Sequence, residues 1–393
     1  MTILKTPITP ITLKSKTMDK EKNINEKRRV RVAITQGDTN GVGYELILKT
    51  FADAEMLEIC TPVVYGSPKT ATYHRKAINS QTNFALVQDG AAAQDGALNL
   101  VSCYDEEVKV DLGMSTPEAG KAARLALERA VKELKAGYVD VLVTCPINKA
   151  TIKAEDFPFV GHTEFLEARL GDEDSEALMI MTSQQMRVAL VTTHLGIRQV
   201  ADAITAESVE RKARLFLQSL RRDFLLPAPR IAILSLNPHN GDHGAIGTEE
   251  EEILMPVVDK LAGEGLAVFG PYAADGFFGT GHHRHFDGIL AMYHDQGLIP
   301  FKTVSMGNGV NFTAGLPYVR TSPDHGTAYE IAGRDDADIT SFREAIYAAI
   351  DIFRNRRADD EAHANPLPKL YQERREDERP RRFSRDQEQQ LPQ

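Results

Sequence analysis

Ile289-Leu290-Ala291-Met292-Tyr293-His294-Asp295-Gln296-Gly297 is an apolar run that stops abruptly on polar residues. The run from Gly288 to Tyr293 reads as a short strand covered on both faces, because such strands need not alternate. Polar groups just past a strand end in an α/β sheet lie where ligands bind, or they form a plain turn. Two further stretches share the pattern. Val188–Thr193 ends on His194, and Ile231–Leu236 ends on Asn237-Pro238-His239-Asn240-Gly241. Either three loops each happen to carry a histidine, or three imidazoles gather as metal ligands with a position left open for substrate. No close spacing such as His-x-x-x-His decides between these.

Working outward, strand and helix patterns alternate, which gives an α/β class. Val30–Thr35 runs into Gln36-Gly37-Asp38-Thr39-Asn40-Gly41-Val42-Gly43 and then into Leu46-Ile47-Leu48. That order suits a strand, a glycine turn and a helix start, where backbone can approach an anionic ligand. The spacing is neither a Rossmann fingerprint nor a P-loop. Thr116-Pro117-Glu118 opens a helix that Gly137 ends. Val139–Thr144 then leads to Cys145-Pro146-Ile147-Asn148-Lys149. Gly161-His162-Thr163-Glu164 reads as a loop feeding a helix, with His162 and Thr163 in the first turn, as anion contacts or as plain capping. Thr248–Glu251 and Ser341–Glu344 read as capping boxes. Lys302, Asn311 and Arg320 follow the third strand; the Lys and Arg are plain surface charge, or they converge on a pocket for phosphate or carboxylate.

The 393 residues allow two domains, and the formal charge of −10 argues against a nucleic-acid surface. Three scattered cysteines fit a reducing compartment. There is no run of about 18 apolar residues for a membrane span, and no signal-peptide core. A cytoplasmic protein is expected. Residues 1–28 and 356–393 are expected to be disordered tails, the second because it is nearly all charged or polar.

Asp324-His325-Gly326-Thr327-Ala328-Tyr329-Glu330-Ile331-Ala332-Gly333 resembles the adenosine-binding loop of the isocitrate and isopropylmalate dehydrogenase superfamily. Within it, the run from about Val30 to Asn355 resembles the 4-hydroxythreonine-4-phosphate dehydrogenase (PdxA) family. The matching stretches are Gly-Asp-x-x-Gly-Val-Gly at 37–43, Gly-His-Thr-Glu-Phe at 161–165, Thr-Thr-His-Leu at 192–195 and Leu-Asn-Pro-His at 236–239. Gly-Thr-Glu-Glu at 247–250, Met-Tyr-His-Asp-Gln-Gly at 292–297, Gly-Val-Asn at 309–311 and Arg-Thr-Ser-x-Asp-His-Gly-Thr-Ala at 320–328 continue the series.

The resemblance implies a two-domain fold with the site in an interdomain cleft at a dimer interface. One domain would comprise residues 29–145 plus 318–355, the other 146–317. It implies His194, His239 and His294 as metal ligands, with His294 in the position supplied across a homodimer. It implies His162, Thr163, Lys302, Asn311 and Arg320 as substrate residues, with Lys302 and Asp275 as catalytic candidates. Asp324, His325, Gly326, Thr327 and Ala328 would meet the cofactor, NAD. The metal would be zinc, or exchangeable magnesium, manganese or cobalt.

The chemistry implied is metal-assisted oxidation of 4-phosphohydroxy-L-threonine by NAD, then loss of carbon dioxide to give 3-amino-2-oxopropyl phosphate for pyridoxal phosphate synthesis. No nucleic-acid or membrane partner is expected. The rivals are a dehydrogenase for D-threonate or D-erythronate 4-phosphate, a phosphate acyltransferase-like protein and a non-catalytic scaffold. This chain departs from the common pattern at Thr39, Asn40, Tyr44, Cys145, Asn148 and Gly196-Ile197, none of which removes a ligand or substrate residue.

Overall fold

The computed structural model describes residues 28–105, 107–152, 159, 161–172 and 175–365. The expected tails therefore lie outside the described residues for 1–27 and 366–393. Twelve strands form one mixed sheet: β1 (Val30–Thr35), β2 (Cys60–Gly66), β3 (Phe84–Val87), β4 (Leu98–Ser102), β5 (Val141–Thr144) and β6 (Leu178–Thr182), then β7 (Arg187–Leu190), β8 (Ile231–Leu234), β9 (Val268–Tyr272), β10 (Gly288–Ala291), β11 (Val310–Ala314) and β12 (Arg320–Pro323). Their spatial order is β3-β4-β2-β1-β5-β12-β11-β6-β7-β10-β8-β9. The wing from β3 to β12 is parallel, and so is the wing from β7 to β9. Between them the pairs β12–β11, β11–β6 and β6–β7 are antiparallel.

The expected domain boundaries fall just beyond β5 and in the turn joining β11 to β12, and the sheet runs unbroken across both. Every residue of β2, β5, β8 and β10 is buried, as expected of strands covered on two faces.

The longer helices among the described residues are α1 (Gly43–Thr50), α2 (Pro68–Ala77), α3 (Pro117–Lys135), α4 (His162–Leu170), α5 (Ala206–Arg222), α6 (Met255–Gly263), α7 (His294–Ser305) and α8 (Thr340–His363). None is long and apolar enough to cross a membrane. α3 starts as its sequence dictates: the Thr116 hydroxyl accepts from the Ala119 N–H and Pro117 takes the first turn.

The two expected capping boxes are corrected. The segment Glu250–Leu254 is a π-type turn with no side-chain cap at its N-terminus. Its Glu250 carboxylate is buried, and accepts from the Leu236 N–H at 2.8 Å and the Asn237 N–H at 2.7 Å. At α8, Asp338 accepts from the Thr340 N–H, while Ser341 accepts from the Asp324 N–H and donates to the Gly309 carbonyl. In both places a side chain of the first turn fixes a neighbouring loop instead.

The C-terminal tail is also corrected over its first residues. α8 continues to His363, and Arg356 is buried rather than solvated. Its Nε donates to Asp223 Oδ1 at 2.6 Å, and its Nη1 to the carbonyls of Leu316 and Pro317. A run of charges concealed one side chain that faces inward.

Breaking a buried ion pair by removing one partner leaves an uncompensated charge. Arg356→Met should therefore lower the unfolding free energy by roughly 3–5 kcal/mol. Urea titration checks this; a loss under about 1 kcal/mol, as at an exposed pair, would contradict it.

Candidate functional site

The central strands carry the site. A pocket of about 310 Å³ is lined from β5 and its exit (Thr144, Cys145, Lys149), the start of α4 (His162, Thr163, Glu164), and the segments after β7 and β10 (His194, His294). Lys302 of α7, Asn311 of β11, Arg320 of β12 and the loop Asp324-His325-Gly326 complete it. Larger hollows of about 830 and 580 Å³ lie elsewhere. The second is rich in arginine, but Arg211, Arg214, Arg222 and Arg356 all pair with carboxylates there. The smaller pocket is where uncompensated chemistry gathers.

Arg320 is the clearest case, at 2% exposure. Its Nε and Nη2 donate to Thr144 Oγ1, at 3.1 and 2.6 Å, and its Nη1 to Thr313 Oγ1 at 3.1 Å. Among the described residues it has no carboxylate at ion-pair distance. Burial pushes the guanidinium down to about 10, with Glu164 opposing the shift, so it stays charged at neutral pH. A buried cation held only by neutral hydroxyls awaits an anion.

His162 lies beside it. Burial holds this imidazole well below its ordinary range, and Arg320 and Lys149 push the same way, so it is neutral at pH 7. Its Nε2 is buried with no partner, as is Asn311 Oδ1. Lys302 pairs with Asp324 at 3.0 Å. Burial raises the Asp324 carboxyl, and Lys302 opposes it.

The histidines His194 and His294 face each other, with ring centroids 6.5 Å apart. His194 Nδ1 lies 3.4 Å from Glu164 Oε1, and its Nε2 is 2.9 Å from the Lys149 ammonium. His294 Nδ1 lies 2.8 Å from Asp295 Oδ1. In both rings a carboxylate on Nδ1 favours the tautomer whose Nε2 carries the lone pair, the arrangement common in metal-binding histidines.

His239 does not line the pocket. It sits in the turn Pro238–Asp242, where it and Asn240 adopt left-handed backbone. Among the described residues no three His, Cys, Asp or Glu side chains converge closely enough to hold a metal. So one chain brings His194 and His294 together and leaves His239 apart. Asp275, in the short helix Ala274–Gly279, is not a lining residue either.

Of the expected cofactor residues, Asp324, His325 and Gly326 line the pocket, while Thr327 and Ala328 do not. Instead the Thr327 carbonyl accepts from the Val42 N–H at 3.1 Å, docking this loop on the glycine turn. A Cβ on Gly41 would fall 2.7 Å from that carbonyl oxygen, so the close approach requires glycine. The Tyr329 hydroxyl donates to Asp38 Oδ2 at 2.7 Å, which ties the two loops again.

Sequence reading missed Thr144, Lys149 and Glu164. Lys149 follows β5 by a few residues, the same signal that singled out the histidines. Glu164 is adjacent to Thr163 and lies in the same first turn of α4. Arg320→Met should test the status of the guanidinium. A cation buried for function destabilises the empty protein, so the variant should keep or raise the thermal midpoint while losing turnover. A collapse of the midpoint would make Arg320 structural.

Comparisons with known proteins agree on one family. A family model described as pyridoxal phosphate biosynthetic protein PdxA matches residues 58–349. A 4-hydroxythreonine-4-phosphate dehydrogenase from Bacteroides thetaiotaomicron is 56% identical over 352 residues, covering 90% of this chain and 96% of that protein. One from a Sulfurihydrogenibium species is 38% identical over 84% of this chain and all of that protein. The crystal structure of the Klebsiella pneumoniae enzyme of that name superposes with a TM-score of 0.71 at 32% identity, covering 83% of this chain and 98% of that one. A terephthalate 1,2-cis-dihydrodiol dehydrogenase from Burkholderia xenovorans gives 0.54 at 27%, covering 82% of this chain and 98% of that one, so relatives of this fold are named for more than one substrate. By its family match and by these identities, the chain belongs to the PdxA family of pyridoxal phosphate biosynthetic proteins.

Proposed function

We propose that the protein is an NAD- and divalent-metal-dependent 4-hydroxythreonine-4-phosphate dehydrogenase serving pyridoxal phosphate synthesis. The observation that carries this reading is the juxtaposition of Arg320, buried without a carboxylate, and the facing imidazoles of His194 and His294. A phosphorylated hydroxy acid needs an anion seat beside a place to activate a hydroxyl.

The donor set suits a divalent cation. Both imidazoles direct Nδ1 at a carboxylate, and the Nε2 of His194 already meets a positive charge, the Lys149 ammonium. The resemblance expects His294 to come from the partner of a homodimer; because His294 faces His194 within one chain, the imidazole crossing the interface in this reading would be His239. Exposed apolar side chains support such an interface: Leu195 follows His194, Ile299 lies on α7, and Ile246 follows the His239 turn.

When bound, the cation would draw electron density from the substrate hydroxyl, and NAD would accept hydride from the carbon bearing it. Arg320 and His162 hold an anionic group, and Asn311 and Lys302 orient the chain between. The hydroxyl proton leaves to solvent as the β-keto acid forms. That acid then loses carbon dioxide, and the carbon it leaves takes up a proton from solvent to give 3-amino-2-oxopropyl phosphate. The Asp324–Gly326 loop, docked on the glycine turn, is where the adenosine end of NAD would lie.

NADH absorbance with purified protein, metal and NAD tests this. Turnover should be faster with 4-phosphohydroxy-L-threonine than with D-threonate or D-erythronate 4-phosphate. Preference for a sugar acid would keep the site and reject the substrate, and no NADH from any of them with metal bound would reject the activity. His239→Ala should give a folded protein that has lost both metal, by elemental analysis, and turnover. Normal turnover without bound metal would remove His239 from the ligand set.

A further inference from the structure

We propose that Lys149 is a further substrate-binding residue: its ammonium closes an anion subsite with Arg320 and His162 and binds an oxygen of the substrate's phosphate or carboxylate. The inference rests on reading this pocket as the substrate site.

Lys149 opens the short helical turn Lys149–Ile152 and lines the pocket. Its stem passes over Gly161, where a Cβ would come within 3.6 Å of Lys149 Cε. Its Nζ reaches His194 Nε2 at 2.9 Å. The other pocket ammonium, Lys302, is neutralised by Asp324 at 3.0 Å. Among the described residues Lys149, like Arg320, has no carboxylate at ion-pair distance. The pocket thus holds two cations without an ion-pair partner beside the unpartnered Nε2 of His162, with the Glu164 carboxylate as the opposing charge that acts on both. All three side chains line this one pocket, and both cations hold that imidazole down. An anion there would receive charge-assisted bonds from two cations and a contact from a neutral ring.

Its placement is fixed from outside the pocket. Asn148 Nδ2 donates to Ser115 Oγ at 2.8 Å and to the Tyr329 hydroxyl at 3.1 Å, while Asn148 Oδ1 accepts from the Ala150 N–H at 2.9 Å. Asn148 is therefore a positioning residue that aims the next side chain inward. An ammonium and a metal cation cannot share one imidazole lone pair. Cation binding at His194 would free Lys149 for the substrate oxygen, a short swing for its flexible stem.

Calorimetric titration of the metal-loaded protein with inorganic phosphate and, separately, with 4-hydroxy-L-threonine tests this, with metal content measured on the same samples. Lys149→Met should weaken one probe by roughly ten- to a hundredfold, the loss of one charge-assisted hydrogen bond. Loss for phosphate identifies the phosphate contact, and loss for hydroxythreonine the carboxylate contact. Lys149→Arg should restore part of it. In turnover, KM should rise more than kcat falls. Unchanged titration of both probes overturns the proposal, as does a loss confined to metal content, or failure of wild-type protein to bind either probe. Lys149 is exposed, so the methionine variant should fold, as circular dichroism would verify. Both probes can bind whether or not the chain is a dehydrogenase, so failure of that activity would leave this result standing.

Discussion

The β11–β12 hairpin is the joint on which the molecule depends. It ends one parallel wing at β12 and reverses the strand direction in β11, which with β6 separates that wing from the other, running in the opposite direction. In a flat sheet the exits of β5 and β7 would lie at opposite edges. Four strand steps separate them, and sheet twist turns the chain by roughly 80–100° over that distance. The exits of β5, β7 and β10 can then line one pocket. The turn of the hairpin is tightly specified. Gly315 has φ of +81°, and a Cβ there would meet the Glu176 carbonyl oxygen at 2.0 Å, so no other residue fits. Arg356 holds the next two carbonyls, Leu316 and Pro317, from α8. Arg320 follows three residues later. A buried arginine that is paired thus fixes the position of one that is not.

That contrast separates structure from function across the chain. Arg211, Arg214, Arg222 and Arg356 face carboxylates, whatever their exposure. Arg320 has only threonine hydroxyls. Burying a guanidinium without a counter-charge costs stability that two or three neutral hydrogen bonds offset in part. Such a residue is retained where a ligand completes it, and titratable groups displaced from their ordinary ranges collect around it. His162, Glu164 and Asp324 are displaced in different directions by one small volume of protein.

Much of the frame was legible in the sequence because it is local. Apolar runs ending on polar residues marked the ends of β7, β8 and β10, and Thr116-Pro117 marked a helix start. What escaped was made by tertiary contact. Glu250 lies inside the expected Thr248–Glu251 box, yet its carboxylate serves the backbone of Leu236 and Asn237, fourteen and thirteen positions away. Arg356 sits among charges and turns inward to Asp223, 133 positions away. Strand-end patterning found the histidines one by one, but no local spacing could tell that His194 and His294 meet while His239 stays outside their pocket. The family resemblance supplied the trio as a set, and it does not carry the geometry of a single chain.

The departures from the family pattern in the glycine turn point inward. Thr39, Asn40 and Tyr44 are all fully buried. Asn40 Nδ2 donates to the Met114 carbonyl, and Asn40 Oδ1 accepts from the Asp111 N–H. The Tyr44 hydroxyl donates to Gln36 Oε1 and accepts from the Ser67 N–H. The Thr39 carbonyl lies 2.8 Å from Nε2 of buried His74, whose ring stacks on Tyr44. The Asn40 and Tyr44 side chains find partners in the segments packed behind the turn, whereas the Thr39 hydroxyl is buried without one. None of the three lines the pocket, so these changes alter how the turn is braced and leave the backbone it presents to the Thr327 loop in place. Of the other departures, Cys145 lines the pocket itself, and Asn148 acts on it through Lys149. Asn148 is half-buried at the pocket rim, bonded to Tyr329, and it sets the direction of Lys149.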